Sequence, residues 1–600
     1  MGTLTRFLAA APGLLAMGAA LAAGAGAEWT TPAGNPQAMR YSELAQIHAG
    51  NAGTLVEEFS VATGTRGGHQ GQPLVVGSTM YLVTPFPNKL IALDLNHPGT
   101  VKWTFSPKVN GYARGVACCD TVNRGPAYAD GKVIYNLLDD STVAVDAVTG
   151  QQVWRTRHGD VTTGETLTGA PIIAKDKVIL GNAGGELGIR GWVKALRVSD
   201  GQQVWKAFST GPDSEVLITG NTRPWYAKDR GTDLGVSTWP GTTWQQGGST
   251  SWAWFSYDPA LNLVYYGTGN PGVWNPDMRK GDNKWGSSIF ARNADTGEAA
   301  WVYQLTPHDG WDYDAVNESI LVDLTIKGKT RQALVHFNKN GFAYTMDRGT
   351  GEVLVAEKFA HTTWAEQVNL KTGAPAVVPA MQPHQGETTS GICPSPLGGK
   401  DWEPSAYSPQ TGLFYVPAIN FCNSLEPLKA IYIAGTPFMG ADIAFQPAPG
   451  GYMGELVAWD ASTGQRAWSL PEALPVYSGV MATAGNLVFY GTLDGHFKAL
   501  NATTGQVVFD KQLECGIIGS PIAYGAPDGS QRVAVYTGIG WLPGGFAGGP
   551  CPAGGGFAAE RSEGQRSPLA GAVARLSTAR GAKVGAQAAT SGMLHVFKLP

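Results

Sequence analysis

The feature that most limits what this chain can become is a recurring turn: an acidic or polar residue, a short Thr-Gly or Asp-Gly step, then a tryptophan or another large apolar residue. It recurs at Asp146 to Trp154 (DAVTGQQVW), Ser199 to Trp205 (SDGQQVW), Asp295 to Trp301 (DTGEAAW), Asp347 to Leu354, Asp460 to Trp468 (DASTGQRAW) and Asn501 to Phe509 (NATTGQVVF). Glycine supplies positive φ, the Asp or Thr side chain caps backbone donors, and the indole docks between neighbouring sheets. Trp103, Trp154 and Trp205 stand 51 residues apart, the length of one four-stranded blade with its loops. One tryptophan per period favours radial repetition over an array of two-sheet sandwiches. The period sets an upper bound of roughly eleven units, which long insertions between blades must lower. We therefore expect an all-β β-propeller, and take it as eight-bladed, a number that the repeat alone does not force. Alternating runs such as Leu261 to Gly267 and Asn486 to Gly491 supply its strands.

Composition agrees: 81 glycines, 38 prolines and 10% aromatic residues suit many short strands joined by tight turns. A net charge of -4 gives no general reason to bind nucleic acid or an anionic membrane. Residues 1–27 read as a secretory signal, with Arg6, an apolar Ala/Leu run and Ala25-Gly26-Ala27 before Glu28. No later run is apolar for long enough to span a bilayer, so the expected location is the periplasm. Residues 28–600 are then one propeller domain. Its stretch 543–591, crowded with Gly, Ala, Ser and Arg, reads as a flexible insertion, and Met593 to Lys598 alternates as a strand able to close the ring against the first blade. Six cysteines, Cys118, Cys119, Cys393, Cys422, Cys515 and Cys551, fit an oxidising compartment. With no CxxCH there is no covalent c-type haem, so electrons must leave through another protein.

Chemistry concentrates in three places. In WDYDAVNE, Trp311 to Glu318, Asp312 and Asp314 are two residues apart and share one face of an extended backbone. Paired acids in a loop are, taken singly, more often solvated or turn-forming. The segments Gly267-Thr268-Gly269-Asn270-Pro271 and Gly184-Gly185-Glu186-Leu187-Gly188 add an amide oxygen and a carboxylate of the kind a hard cation needs. The third feature is the adjacent pair Cys118-Cys119, whose Cα atoms, about 3.8 Å apart, are closer than an ordinary disulfide prefers.

Together these segments resemble the quinoprotein alcohol dehydrogenases, the family of methanol dehydrogenase large subunits and their ethanol-oxidising relatives. HQGQPLVV at His69, RGVACCDTVNRG at Arg114, GETLTGAP at Gly164, NAGGELGIRG at Asn182, GGSTSWAWFSYDP at Gly247, GTGNPGVWNPDMRKGDNKW at Gly267 and PHDGWDYDAVNE at Pro307 carry the resemblance, which covers nearly all of residues 30–545. It implies pyrroloquinoline quinone (PQQ) as cofactor and a metal held by Glu186, Asn270, Asp312 and Asp314. Members that use calcium usually have a small uncharged residue at the position of Asp314, whereas lanthanide-dependent members carry the second aspartate. A trivalent ion gains more from an added anionic ligand, so a lanthanide is favoured over calcium.

The same resemblance implies a vicinal disulfide at Cys118-Cys119 against one quinone face and Trp252 against the other. It puts Gln70, Arg124, Thr168, Ala183, Gly184, Gly185, Thr250, Lys339, Asp401 and Trp541 around the cofactor and pairs Cys393 with Cys422; Cys515 with Cys551 has no such support. Asp312 is the implied base for the alcohol proton, with hydride passing to the quinone, Lys339 stabilising charge on its oxygen, and a soluble cytochrome c taking the electrons. Gln70, Ala183 and Tyr477 depart from the methanol-oxidising pattern, and GGKDW at Gly398 looks more like the ethanol-type enzymes. The competing readings are a non-catalytic propeller scaffold, which needs the blades but not the acids, and a quinoprotein sugar or polyol dehydrogenase. Neither the preferred alcohol nor the oligomeric state follows from these residues; a homodimer and a small partner subunit both stay open.

Overall fold

The computed structural model describes residues 27–540 and 591–600, with Pro543 and Phe546 between them. The signal segment up to residue 26, Trp541, Cys551 and nearly all of the 543–591 stretch lie outside the described residues.

Among the described residues eight sheets share one plan, four antiparallel strands, and one of them takes Tyr41–Ser42 as a fifth, parallel strand. A representative sheet runs Ile172–Ala174, Lys177–Gly181, Trp192–Arg197, Gln203–Phe208. Its second strand is buried throughout, while its fourth mixes exposed, half-buried and buried positions. The first strands of successive sheets touch one another, as Ile172–Ala174 does Ala127–Ala129 on one side and Phe255–Asp258 on the other. First strands therefore line the centre and fourth strands the rim, which is the propeller arrangement expected from the repeat.

Ring closure uses the terminal strand as expected, but not against the first sheet of four consecutive strands, which begins at Leu74. Met593–Lys598 pairs with Gln531–Thr537 on one side and with Val56–Ala62 on the other, so the two ends of the described chain complete one sheet and cover its edges. A hairpin, Ala365–Asn369 with Ala374–Val377, and a three-stranded sheet of Thr389–Ile392, Phe421–Pro427 and Ala441–Pro447 stand outside the eight. Among the described residues no helix is long and apolar enough to cross a membrane.

The recurring turn works across sheets. Asp146 Oδ1 accepts hydrogen bonds from the amides of Val148 and Thr149 and from the Thr149 hydroxyl. The indole N–H of Trp154 donates to Val198 O, that of Trp205 to Ala294 O and that of Trp301 to Arg348 O, each at 3.0 Å and each in the following sheet's turn. The turn glycine of that next sheet lies under the ring: a Cβ on Gly201 would come within 2.5 Å of Trp154, and one on Gly297 within 2.6 Å of Trp205. Glycine is thus selected by the neighbouring tryptophan as well as by its own φ of +75° at Gly297. Gly297→Ala is expected to destabilise the fold by about 1–3 kcal/mol through overpacking. Gly349→Ala, where a Cβ meets nothing nearer than 3.4 Å, should leave the thermal midpoint unchanged and serves as the control.

Candidate active site

A radial fold builds a site from equivalent positions. Gln70, Arg124, Thr168, Trp252, Asp314, Asp401 and Tyr477 each stand three to five residues before the first strand of a different sheet, and all seven line one cavity. Cys118, Cys119, Ala183, Gly184, Glu186, Asp312 and Lys339 complete the expected set on its wall. Gly185 and Thr250 are not on the wall but pack against each other just behind it, a Cβ on Gly185 falling 3.4 Å from Thr250 Oγ1. Asn270 is also off the wall, and Trp541 is outside the described residues.

The alternation read from WDYD is realised. Trp311 and Tyr313 turn away together, stacked at 5.8 Å and both packed on Trp364, their polar hydrogens donated to Met381 O and Pro394 O. Asp309 fixes the loop by accepting from the amides of Trp311 and Tyr313 and from the Ser287 hydroxyl. Asp312, at φ +68°, and Asp314 then face the cavity, where Lys339 Nζ lies 2.8 Å from Asp312 Oδ2 and 3.0 Å from Asp314 Oδ2. Asp314 Oδ1 accepts from the Asn270 amide at 2.5 Å, which ties the GTGNP turn to the acidic loop. Among the described residues no hydrogen bond joins Glu186 to Lys339; Glu186 rides on the short turn Gly185–Leu187, whose carbonyl at position 186 holds the Phe438 amide at 2.7 Å.

Burial pushes the Asp312 carboxyl well above the usual range, and Asp314 adds to this against the pull of Lys339. Burial likewise raises Glu186, helped by Asp314. Lys339 stays well above an ordinary lysine, because Asp312 and Asp314 outweigh the cost of its burial.

Arg124, also on the wall, packs its guanidinium 4.7 Å from the Trp252 ring and 5.2 Å from Trp402, and it and Thr168 both donate to Trp252 O. Gln70 Oε1, Arg124 Nε, Asp312 Oδ1, Asp401 Oδ1 and Tyr477 Oη are buried without a hydrogen-bond partner among the described residues. Such atoms are satisfied by a polar ligand or by ordered water. Donors such as Arg124 and Lys339, carboxylates and the indoles of Trp252, Trp274 and Trp402 on one wall suit a flat quinone bearing carboxylates and carbonyls. Glu186, Asp312 and Asp314 form the all-oxygen donor set of a hard cation. The residues present therefore fit both groups.

One expectation is corrected. Among the described residues Cys118 and Cys119 are free thiols, not a vicinal disulfide. The adjacent Cα spacing noted above opposes that bond, and the Cys118 thiol instead interacts with Glu186 and with Cys119. Cys393 and Cys422 are bonded as expected. The cavity also uses Trp274, Leu397, Trp402 and Met439, which the sequence reading did not single out. Trp274 and Trp402 sit inside the quoted GTGNPGVW and GGKDW motifs; Met439 has no comparable signal, because it arrives on a distant segment held by the Met439 O to Trp274 N hydrogen bond.

Residues 29–360 match the family described as glucose/ethanol/alcohol dehydrogenase, beta-propeller domain. Residues 450–529 match that of the outer membrane protein assembly factor BamB, a stretch that holds the repeat but, apart from Tyr477, none of the cavity wall. The chain is 49% identical to the lanthanide-dependent methanol dehydrogenase of Methylacidiphilum fumariolicum, over 86% of this chain and 85% of that protein. It is 43% identical to the methanol dehydrogenase (cytochrome c) subunit 1 of Methylorubrum extorquens, over 86% and 84%. A solved europium-containing methanol dehydrogenase superposes with a TM-score of 0.89 at 45% identity, covering 96% of this chain and 98% of its own. Fold and site together define a propeller oxidoreductase. More narrowly, the chain belongs to the quinoprotein, PQQ-dependent alcohol dehydrogenase family, in the branch of its lanthanide-dependent members.

Proposed function

We propose that the protein oxidises short-chain primary alcohols to aldehydes in the periplasm with PQQ and a lanthanide ion, and passes the electrons to a soluble cytochrome c. The observation that carries this reading is the buried pair Asp312 and Asp314 on one lysine, with Glu186 on the same cavity wall. Glu186, Asn270, Asp312 and Asp314 would hold the metal, and Gln70, Arg124, Thr168, Trp252 and Asp401 the quinone. When bound, PQQ supplies a hydride acceptor and the lanthanide a Lewis acid. Asp312 takes the alcohol O–H proton, for which its free Oδ1 faces the cavity. Lys339 holds the Asp312 carboxylate in place through Oδ2 and balances its charge.

Names of relatives support the metal and the acceptor; the departures at Gln70, Ala183 and Tyr477 speak against methanol, and GGKDW at Gly398 supports ethanol-type alcohols. The test is activity of purified protein given PQQ and an electron-accepting dye, with ethanol and with methanol, in calcium and separately in a light lanthanide. Turnover in lanthanide, higher with ethanol, is expected. Calcium-only turnover would reject the metal assignment, and none in either would favour a scaffold. Cell fractionation and dye replacement by a soluble cytochrome c check location and acceptor.

A further inference from the structure

The site cavity is not the only one on the inner strands. A second lies further along the same chain segments: Trp252, Asp314 and Asp401 wall the first, and Trp254, Glu318 and Pro404 wall the second, together with Arg40. At about 3.3 Å per residue, steps of two to four residues separate the two by roughly 7–13 Å. The ground between them is polar. Asp401 faces the site cavity, and its amide donates to Glu403 Oε2 at 2.8 Å. Lys400 Nζ donates to Asp401 O at 3.0 Å and to Glu318 Oε2 at 2.8 Å, and Glu318 Oε1 accepts from the Ser405 amide. All of these except Asp401 are buried, and Asp401 is nearly so.

Several atoms along this line have no partner among the described residues: Asp401 Oδ1, Glu403 Oε1, Ser405 Oγ and Arg40 Nη1. Buried polar atoms of this kind are satisfied by ordered water. Asp401, Glu403 and Ser405 alternate along the segment, so a file of acceptors and hydroxyls leads from one cavity towards the other. Of the cations on the way, Lys400 is held by Glu318 at 2.8 Å, and Arg40 donates to Gln72 Oε1 at 3.2 Å while Glu318 acts on it through its charge. Of the two glutamates on this line, Glu403 keeps a carboxyl oxygen, Oε1, without a partner among the described residues, whereas both oxygens of Glu318 are taken, by Lys400 Nζ and by the Ser405 amide.

The reaction under Proposed function, on which this inference rests, makes such a file useful. Oxidising one alcohol to an aldehyde releases two electrons and two protons. The electrons leave to two one-electron acceptors, and the protons must reach water from a buried cavity. We propose that Glu403 is a proton relay that carries protons from the site cavity, through Asp401, towards the second cavity at Glu318 and Arg40. Asp401, Lys400, Arg124 and Tyr477 are the titratable groups that face Glu403. Burial, reinforced by Asp401, lifts Glu403 to about 8, and burial lifts Asp401 to about 6, so both exchange protons near neutrality.

The test uses PQQ- and lanthanide-loaded protein and two variants, Glu403→Gln and Glu403→Asp. Proton appearance, read with a pH indicator in single-turnover stopped flow, is compared with dye reduction. In Glu403→Gln we expect proton appearance and kcat to slow about tenfold or more, with a raised solvent isotope effect on kcat, an unchanged KM for the alcohol and full quinone content. Glu403→Asp should recover most of the rate. Wild-type rates and isotope effect in Glu403→Gln would overturn the relay. So would equal losses in both variants, or loss of bound quinone, which would make Glu403 structural. A wild-type holoenzyme inactive with both alcohols would instead reject the dehydrogenase reading, and the relay with it.

Discussion

Asp314→Ala should lower lanthanide-supported turnover at least about a hundredfold while leaving the protein folded. The reasoning starts from what the carboxylate touches. Its Oδ2 shares Lys339 with Asp312, and its Oδ1 takes the Asn270 amide. Truncation leaves Lys339 still paired to Asp312 at 2.8 Å, so no buried cation is abandoned, and only the Asn270 N–H loses its acceptor, at about 1–3 kcal/mol. A trivalent ion, by contrast, loses one of three anionic ligands. In a low-dielectric site that loss exceeds anything the fold suffers. Asp314→Asn separates the two effects, since it keeps an acceptor for Asn270 but removes the charge. Turnover in a light lanthanide and in calcium, with thermal unfolding alongside, checks the outcome. Wild-type lanthanide activity in Asp314→Ala would count against the assignment.

Much of this was legible in the chain because two short periodicities are strong. The turn with its tryptophan named the sheets, and the two-residue spacing of Asp312 and Asp314 put both on one face, where the structure joins them through Lys339. The partnership with Lys339 itself was not legible from spacing, since it joins a loop to a turn 25 residues on. Only the family resemblance brought that lysine forward, and it assigned it to the quinone instead of to the acids. Met439 and the polar file through Glu403 were invisible for the same reason: burial and the lack of a partner are properties of the packed molecule. The glycines were half read. Positive φ accounts for the turn, but the ring pressed on Gly201 or Gly297 belongs to another sheet and leaves no mark nearby in the sequence.

The same lesson gives the second large effect, at Gly267. This residue ends the strand Leu263–Gly267 just before the GTGNP turn, and its φ is ordinary, so conformation alone would tolerate alanine. Space does not: a Cβ there would lie 1.4 Å from Ala315 O and 2.2 Å from Ala315 C. Both obstacles are backbone, and that backbone is fastened, since the Ala315 amide donates to Thr268 O at 2.9 Å. The close approach is what lets the turn deliver the Asn270 amide to Asp314. Gly267→Ala must therefore push the acidic loop away from the turn or distort the strand, at about 3 kcal/mol or more given the upper end of overpacking costs. Expected results are a thermal midpoint several degrees lower and near-complete loss of lanthanide binding. Gly111→Ala, with nothing within 4 Å of its Cβ, should change neither. A Gly267→Ala protein that binds metal and turns over like the wild type would mean that the two segments do not meet as described, and that Asp314 is positioned by something other than the turn.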